Sequence, residues 1–279
     1  MIAYYNGEFL PLEKIYISPF DRGFLFADGV YETLRTYNRK LFMSHKHFER
    51  LKYSAEQIEI HFSDYNKLEN IIYHCAELNS MNTEFSAYIQ ITRGVSFPRT
   101  HHYQKQIKAN LFIYVSELNN QEDEKKEGVT ITLEKDIRWS RCDIKSIALL
   151  PNVLANNKAF KNGHYEALFF RDNFITEGSH TNFFAVKNET VFTTPLSSFI
   201  LNGVTRNIII QLCKEDGILV KEENIPVKNI FNYDELFITG TLTEIAPVIK
   251  IDEHPVGNGK PGKMTRRIQE LFYDFVGKY

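Results

Sequence analysis

The sequence predicts an α+β protein of two domains. Its 279 residues exceed the usual size of a single domain. Short runs rich in β-branched and aromatic residues are interleaved with stretches whose apolar residues recur at helical spacing. A wholly polar decapeptide, NNQEDEKKEG at 119–128, separates two segments each long enough to bury its own core. The predicted organisation is therefore a first domain over 1–118, a linker at 119–128 and a second domain over 129–279.

In chain order, short apolar segments open the fold, followed by a turn at Ser18–Gly23 and a hairpin, VYETLRTYNRKLF, around Asn38-Arg39-Lys40. Alternation along that hairpin points Tyr31, Thr33 and Arg35 to one side. Ser44 is an expected N-cap for a helix with Phe48, Leu51, Ala55 and Ile58 on one stripe, and Leu68, Ile71, Ile72, Cys75 and Leu78 mark a second helix. Strands follow at 86–94 and 109–118. Beyond the linker come strand VTITLEKD, a helix from about Pro151 to Asn162 stopped by Gly163, and strands EALFFRD, FFAVK and TVFTT. A helix at 205–217, strands ELFITG and APVIKID, and a C-terminal helix from about Gly262 complete the chain.

Composition narrows the function. With 33 basic against 35 acidic residues, nothing draws the protein to nucleic acid or to an anionic membrane. No apolar run approaches the roughly 18 residues of a membrane span, and MIAYYNGEFLPLEK has no basic region leading into an apolar one, so a cytoplasmic protein is expected. Cys75, Cys142 and Cys213 are an odd number without CxxC spacing, which argues against a disulfide framework and against zinc. Reduced thiols and no metal are expected.

Lys145, in DIRWSRCDIKS (136–146), and Glu177 with Asn182, in ITEGSHTNFF from Ile175, together suggest pyridoxal phosphate chemistry. A lysine amine can anchor such a cofactor, and a carboxylate can keep its ring nitrogen protonated so that the ring accepts electrons. The phosphate would need amides at a helix start, hydroxyls and a guanidinium. Gly203-Val204-Thr205 precedes an apolar-periodic helix, Thr239-Gly240-Thr241 follows a strand, and Arg50 sits near His47 off the apolar stripe. By spacing alone Arg50 reads equally as a solvated helix arginine. Arg99-Thr100-His101, in the loop SFPRTHHYQ, offers a cationic pair suited to a substrate carboxylate, or a solvated polar loop. Asp21-Arg22-Gly23 reads as turn punctuation.

The segments DRGFLFADGVYE, TRG with PRTH, KDIRWSRCDIKS, TEGSHTNFF, LNGVTR and ELFITGTLTEIAPVI, taken together, resemble the fold-type IV pyridoxal phosphate enzymes, the branched-chain aminotransferase-like class, over nearly the whole chain. Within that class RWSRCDIKS and Pro98–His101 are most similar to bacterial D-amino-acid aminotransferases. The resemblance implies a small N-terminal α/β sandwich domain, a larger C-terminal pseudo-barrel domain and a homodimer acting on amino acids and 2-oxo acids. It implies Lys145 as the covalent anchor of the cofactor and shuttle of the substrate's α-proton, and Glu177 as partner of the pyridine nitrogen. Arg50, Val204, Thr205 and Thr241 would hold the phosphate and Leu201 would pack on the ring. Tyr31, with Arg99 and His101 of the neighbouring subunit, would trap the substrate carboxylate and so select the D enantiomer. Thr33 and Arg35 stand where the D-enzymes tend to carry an aliphatic residue and a lysine, and His180 and Thr181 replace serines. The first reading is a D-amino-acid transaminase passing the amino group of D-alanine to 2-oxoglutarate; the alternatives are an L-branched-chain aminotransferase, favoured by Arg35, an aminodeoxychorismate lyase, and a non-catalytic cofactor-binding or interaction protein.

Overall fold

The computed structural model describes residues 1–104, 106–118 and 122–279. The chain divides into two compact units, Met1–Asn119 with Ile144–Ala148 and Tyr279, and Asn120–Asp143 with Leu149–Lys278. Residues 144–148, expected in the second domain, thus pack with the first. Backbone pairing explains it: Ser146 bridges Val30, the Tyr31 amide donates to the Lys145 carbonyl at 3.0 Å, and the Ile147 amide donates to the Gly29 carbonyl at 3.0 Å.

The first unit contains strands β1 (Ile2–Tyr5), β2 (Glu8–Pro11), β3 (Gly29–Tyr37), β4 (Lys40–Leu41), β5 (Phe85–Thr92) and β6 (Asn110–Glu117), and helices α1 (Arg22–Phe26), α2 (Ser44–Gln57) and α3 (Leu68–Leu78). The strands form an antiparallel sheet in the order β2-β1-β6-β5-β3-β4. Val30 and Leu34 of β3 join Ile89 and Ile91 of β5, Ile113 and Val115 of β6, and Leu51, Ala55, Leu68, Ile72 and Cys75 from the helices in one core. The opposite face carries Tyr31 stacked on Tyr88 and Tyr88 tilted against Tyr114. The expected hairpin turns at Asn38 and Arg39, both with positive φ, the geometry that matches strand twist in a two-residue turn. Ser44 is not the N-cap. Met43, at φ +49°, holds that place, and the Ser44 hydroxyl donates to Glu69 instead.

The second unit contains α4 (Glu122–Glu127), β7 (Val129–Lys135), α5 (Leu150–Lys161), β8 (Glu166–Arg171), β9 (Phe174–Gly178), β10 (Asn182–Lys187), β11 (Thr190–Thr193), α6 (Val204–Glu215), β12 (Val220–Glu222), β13 (Glu235–Gly240), β14 (Glu244–Ile251), β15 (His254–Pro255) and α7 (Lys263–Gly277). Its sheet runs β12-β11-β10-β13-β14-β7-β8-β9, with β15 on β14. The chain just beyond β12 closes onto β9, at the opposite end of that order. Phe174 of β9 bridges Pro226, the Ile175 amide donates to the Ile225 carbonyl at 2.9 Å, and the Val227 amide to the Asn173 carbonyl at 2.9 Å. The sheet therefore curls into the expected pseudo-barrel, with Ile131, Phe183, Ile225, Leu236, Ile238 and Ala246 in its core.

Part of the expected linker is helical. In α4 acidic residues occupy the first turn and Lys125 and Lys126 the last, the order that complements the helix dipole. Lys125 is buried, its Nζ 2.6 Å from Glu244. Residues 119–121 of that stretch lie outside the described residues. The three cysteines are buried free thiols.

Phe184 and Phe237, directly opposed on β10 and β13, are fully buried and stack at 4.8 Å. Phe237→Ala removes most of a buried ring and leaves a cavity, so it should destabilise the fold by about 3–5 kcal/mol. A urea titration would register this as a lower midpoint at unchanged slope.

Candidate active site

β3 alternation decides what the first unit offers. Glu32 shares the parity of Val30 and Leu34 and so lies beneath α2, fully buried. Its carboxylate accepts from Arg50 Nε at 2.7 Å, Arg50 Nη2 at 2.9 Å and His47 Nδ1 at 2.7 Å. His47 and Arg50 are three apart on α2 and therefore share a face. Burial alone would raise the Glu32 carboxyl, but the Arg50 guanidinium and the His47 contact outweigh it and hold the group down at about 2. Burial pushes His47 below its usual range, so Arg50 supplies the compensating charge and His47 a neutral N–H. Arg50 is accordingly not a solvated helix arginine: its side chain is 10% exposed.

Lys145 runs alongside β3, its carbonyl accepting from the Tyr31 amide. Its amide donates to Ser54 Oγ of α2 at 3.1 Å, and its Nζ lies 4.1 Å from the centre of the Tyr31 ring, within cation–π range. Tyr31 and Lys145, expected as substrate and cofactor groups, are thus brought together. Thr33 and Arg35 follow Tyr31 on the same face, with the Arg35 guanidinium 4.2 Å from the Tyr37 ring. Arg99 and His101 lie on the connection between β5 and β6, where both are exposed and both touch the Phe26 ring.

In the second unit Glu177, on β9, is 5% exposed. Arg138 Nη1 donates to its Oε1 at 2.7 Å, while Asn182 Nδ2 at 3.0 Å and the Leu201 amide at 2.9 Å donate to Oε2. A carboxylate accepts about four hydrogen bonds, so Oε1 retains room for one more N–H. Burial raises the Glu177 carboxyl even though Arg138 opposes it. A further cationic N–H, such as a protonated pyridine nitrogen, would offset that burial. Arg138 is itself fixed by Asp136, through Nε at 3.0 Å and Nη2 at 2.9 Å, and it lies over Phe169.

Asn182 also donates to the Leu201 carbonyl at 2.9 Å, tying β10 to the approach to α6. The helix begins at Val204 with Gly203 as its cap, so Val204 and Thr205 both lie in the first turn, where amides lack intrahelical acceptors. A Cβ on Gly203 would fall 1.9 Å from Asn182 Oδ1, which is why only glycine fits. Asn182 pairs with Thr239 across β10 and β13, and Gly240 lies beside the His180 carbonyl. The two expected phosphate turns therefore both adjoin the 180–182 segment. Thr239 Oγ1 is buried with no hydrogen-bond partner among the described residues, and Thr241 is half-buried two residues on. A buried hydroxyl donor beside a helix start fits a phosphate group.

Glu166 anchors this turn. Fully buried, it accepts from the Ser179 amide and hydroxyl, the His180 amide and the Thr181 hydroxyl at 2.5–3.2 Å, with His180 Nδ1 at 3.0 Å. Burial would raise its carboxyl, but His180 and these donors bring it down to about 2. Sequence reasoning missed Glu32, Arg138 and Glu166. Arg138 and Asp136 had a local signal, an acid and a base two apart in the segment that also holds Lys145; the other two had none. Among the described residues no group of three or more His, Cys, Asp or Glu is placed to hold a metal ion, and no helix is long and apolar enough to cross a membrane.

Residues 29–251 match the model of the amino-transferase class IV family. The chain is 37% identical over 276 residues to a D-alanine aminotransferase of Staphylococcus haemolyticus, covering 98% of this chain and 97% of that protein. It is 36% identical over 278 residues to the Bacillus licheniformis D-alanine aminotransferase, covering 99% and 97%. Among solved structures, the Escherichia coli branched-chain amino acid aminotransferase superposes with a TM-score of 0.91 at 24% identity, covering 99% of this chain and 94% of that one. A T.th. branched-chain amino acid aminotransferase with pyridoxamine 5′-phosphate gives 0.86 at 23% identity, covering 100% and 95%. At these identities the structural likeness establishes the fold, fold type IV.

Glu32 provides a pH test. Its folded value of about 2 lies below the ordinary 4.5, so its contribution is complete above pH 4.5 and is lost as pH falls towards 2. That contribution should be about 3 kcal/mol. Urea midpoints collected between pH 5 and pH 2 should show a shallower acid dependence in Glu32→Gln than in the wild type.

Proposed function

Because the chain belongs to the amino-transferase class IV family, we propose that it is a D-amino-acid transaminase that uses pyridoxal 5′-phosphate. It moves the amino group of D-alanine and other D-amino acids to 2-oxoglutarate, giving D-glutamate and a 2-oxo acid. The observation that carries this reading is the near full-length similarity, at 36–37% identity, to proteins named D-alanine aminotransferase. We further propose that it works as a cytoplasmic homodimer.

When bound, the cofactor supplies an electron sink for the pair left as the substrate's α-C–H bond breaks. Lys145 Nζ would hold the cofactor through its aldehyde carbon and would serve as the base for the substrate's α-proton. Tyr31, whose ring lies 4.1 Å from that Nζ, bounds its path. Glu177 keeps a proton on the ring nitrogen, and Arg138, Asn182 and the Leu201 amide hold the carboxylate still while it does so. Leu201 would pack on the ring. The amides of Val204 and Thr205, the hydroxyls of Thr205 and Thr241, and Arg50 would hold the phosphate. In the same reading the buried Thr239 hydroxyl adds a further donor. Arg50 can take that part while engaged with Glu32, since a guanidinium carries five N–H donors. Tyr31, with Arg99 and His101 of the neighbouring subunit, would bind the substrate carboxylate, and its placement relative to Lys145 selects the enantiomer.

The test is a single-turnover titration of the holoenzyme, following cofactor absorbance as D- or L-alanine, glutamate and leucine are added one at a time. D-alanine and D-glutamate should react, and Lys145→Ala should lower the rate by about 10³-fold or more. Faster reaction of the L series would overturn the assignment, and 4-aminobenzoate formed from aminodeoxychorismate without a keto acid would replace it with a lyase.

A further inference from the structure

Asp21-Arg22-Gly23, expected as turn punctuation, instead caps and opens α1, which engages the connection that carries Arg99 and His101. Arg22 is 5% exposed. Its Nη1 donates to the Thr100 carbonyl at 2.8 Å, its Nη2 to the His101 carbonyl at 3.0 Å, and its Nε to Asp28 at 2.8 Å. A planar guanidinium that grips two successive carbonyls fixes the orientation of the backbone as well as its position. The other side of the grip is rigid. Asp28 also accepts from Arg93 Nε at 2.7 Å and Nη2 at 2.9 Å, and Arg93 donates to the Ile58 and Glu59 carbonyls just beyond α2.

Phe26, one turn along α1, supplies the second contact. Its ring has the Arg22 guanidinium at 4.7 Å and the Arg99 guanidinium at 4.5 Å, and the His101 ring meets it edge to face at 5.7 Å. Asp21 supplies the third. Its Oδ1 caps α1 through the Gly23 amide at 2.7 Å, and its Oδ2 accepts from Thr92 Oγ1 at 2.9 Å and Asn110 Nδ2 at 2.6 Å, the last residue of β5 and the first of β6. One carboxylate thus ties together both stems of the connection. Gly23 permits this approach, since a Cβ there would lie 2.4 Å from Thr92 Cγ2.

Long connections without regular structure are commonly either functional or disordered, and ordering this one costs conformational entropy. Here a buried arginine is committed to the carbonyls of His101, read as part of the carboxylate trap, and of Thr100, which lies between Arg99 and His101. We propose that Arg22 and Phe26, with Asp21 and Asp28 behind them, form a docking clamp that presents Arg99 and His101 to the substrate carboxylate. Arg22 is then a positioning residue and a determinant of affinity for α-carboxylate substrates. The proposal rests on the reading of Arg99 and His101 given above.

The test uses holoenzyme carrying Arg22→Lys, which can reach one carbonyl but not both, with Phe26→Leu and Phe26→Tyr beside it. For whichever amino acid the wild type turns over, Arg22→Lys and Phe26→Leu should raise KM by about tenfold or more while kcat changes by less than about threefold. Phe26→Tyr, which keeps the ring, should restore KM. Trypsin should cut after Arg99 about tenfold faster in the first two variants. An unchanged KM would overturn the clamp even if cleavage accelerates, and so would kcat falling in step with KM, the mark of a purely structural staple. Wild-type inertness towards D-alanine would instead sink the functional assignment, because the KM comparison uses the substrate that the wild type accepts.

Discussion

The side-chain alternation of β3 is the constraint from which the first unit's chemistry follows. Even-numbered residues Val30, Glu32, Leu34 and Thr36 are buried, so Glu32 must find its donors on α2, and His47 and Arg50 supply them. Odd-numbered Tyr31, Thr33 and Arg35 take the other face. Because the start of the same strand also pairs with residues 145–147, its register decides that Lys145 meets Tyr31 rather than the carboxylate one residue away. A slip of one residue would exchange the two sets and place a carboxylate where the ring now lies.

Three buried glutamates show how donors, rather than depth, set charge. Glu32 and Glu166 are as deeply buried as any residue in the chain, yet both are held at about 2, because each is enclosed by donors and has a guanidinium or imidazole alongside. Glu177 also has an arginine partner, but that arginine is shared with Asp136, and burial prevails. The one of the three whose carboxyl burial raises is the one assigned a cofactor, an arrangement common where a buried site is built to receive a ligand.

Periodicity made the strands, α2, α3 and the hairpin at Asn38-Arg39 legible, because each rests on local spacing. The same is true of the turns around Gly203 and Gly240, whose small residues and following helix or strand are local signals. What escaped was set by distance. Lys125 looked like linker because its partner, Glu244, is 119 residues away. Residues 144–148 follow the second unit in sequence but hydrogen-bond to a strand more than a hundred residues earlier. Arg22 resembled turn punctuation because two of its three acceptors are main-chain carbonyls, which no side-chain pattern reveals. Ser44 has the chemistry of a cap, but Glu69 claims its hydroxyl.

The meeting of Phe174 and Ile175 with residues 225–227 has a consequence for the strand that carries Glu177. At the end of the sheet order, β9 would otherwise expose a row of unpaired amides and carbonyls, the template by which one chain recruits another. Closure removes that template at 174–175, and the Ile175 amide can reach solvent only when the barrel itself parts. Hydrogen exchange at that amide therefore gauges how often the wall behind Glu177 opens.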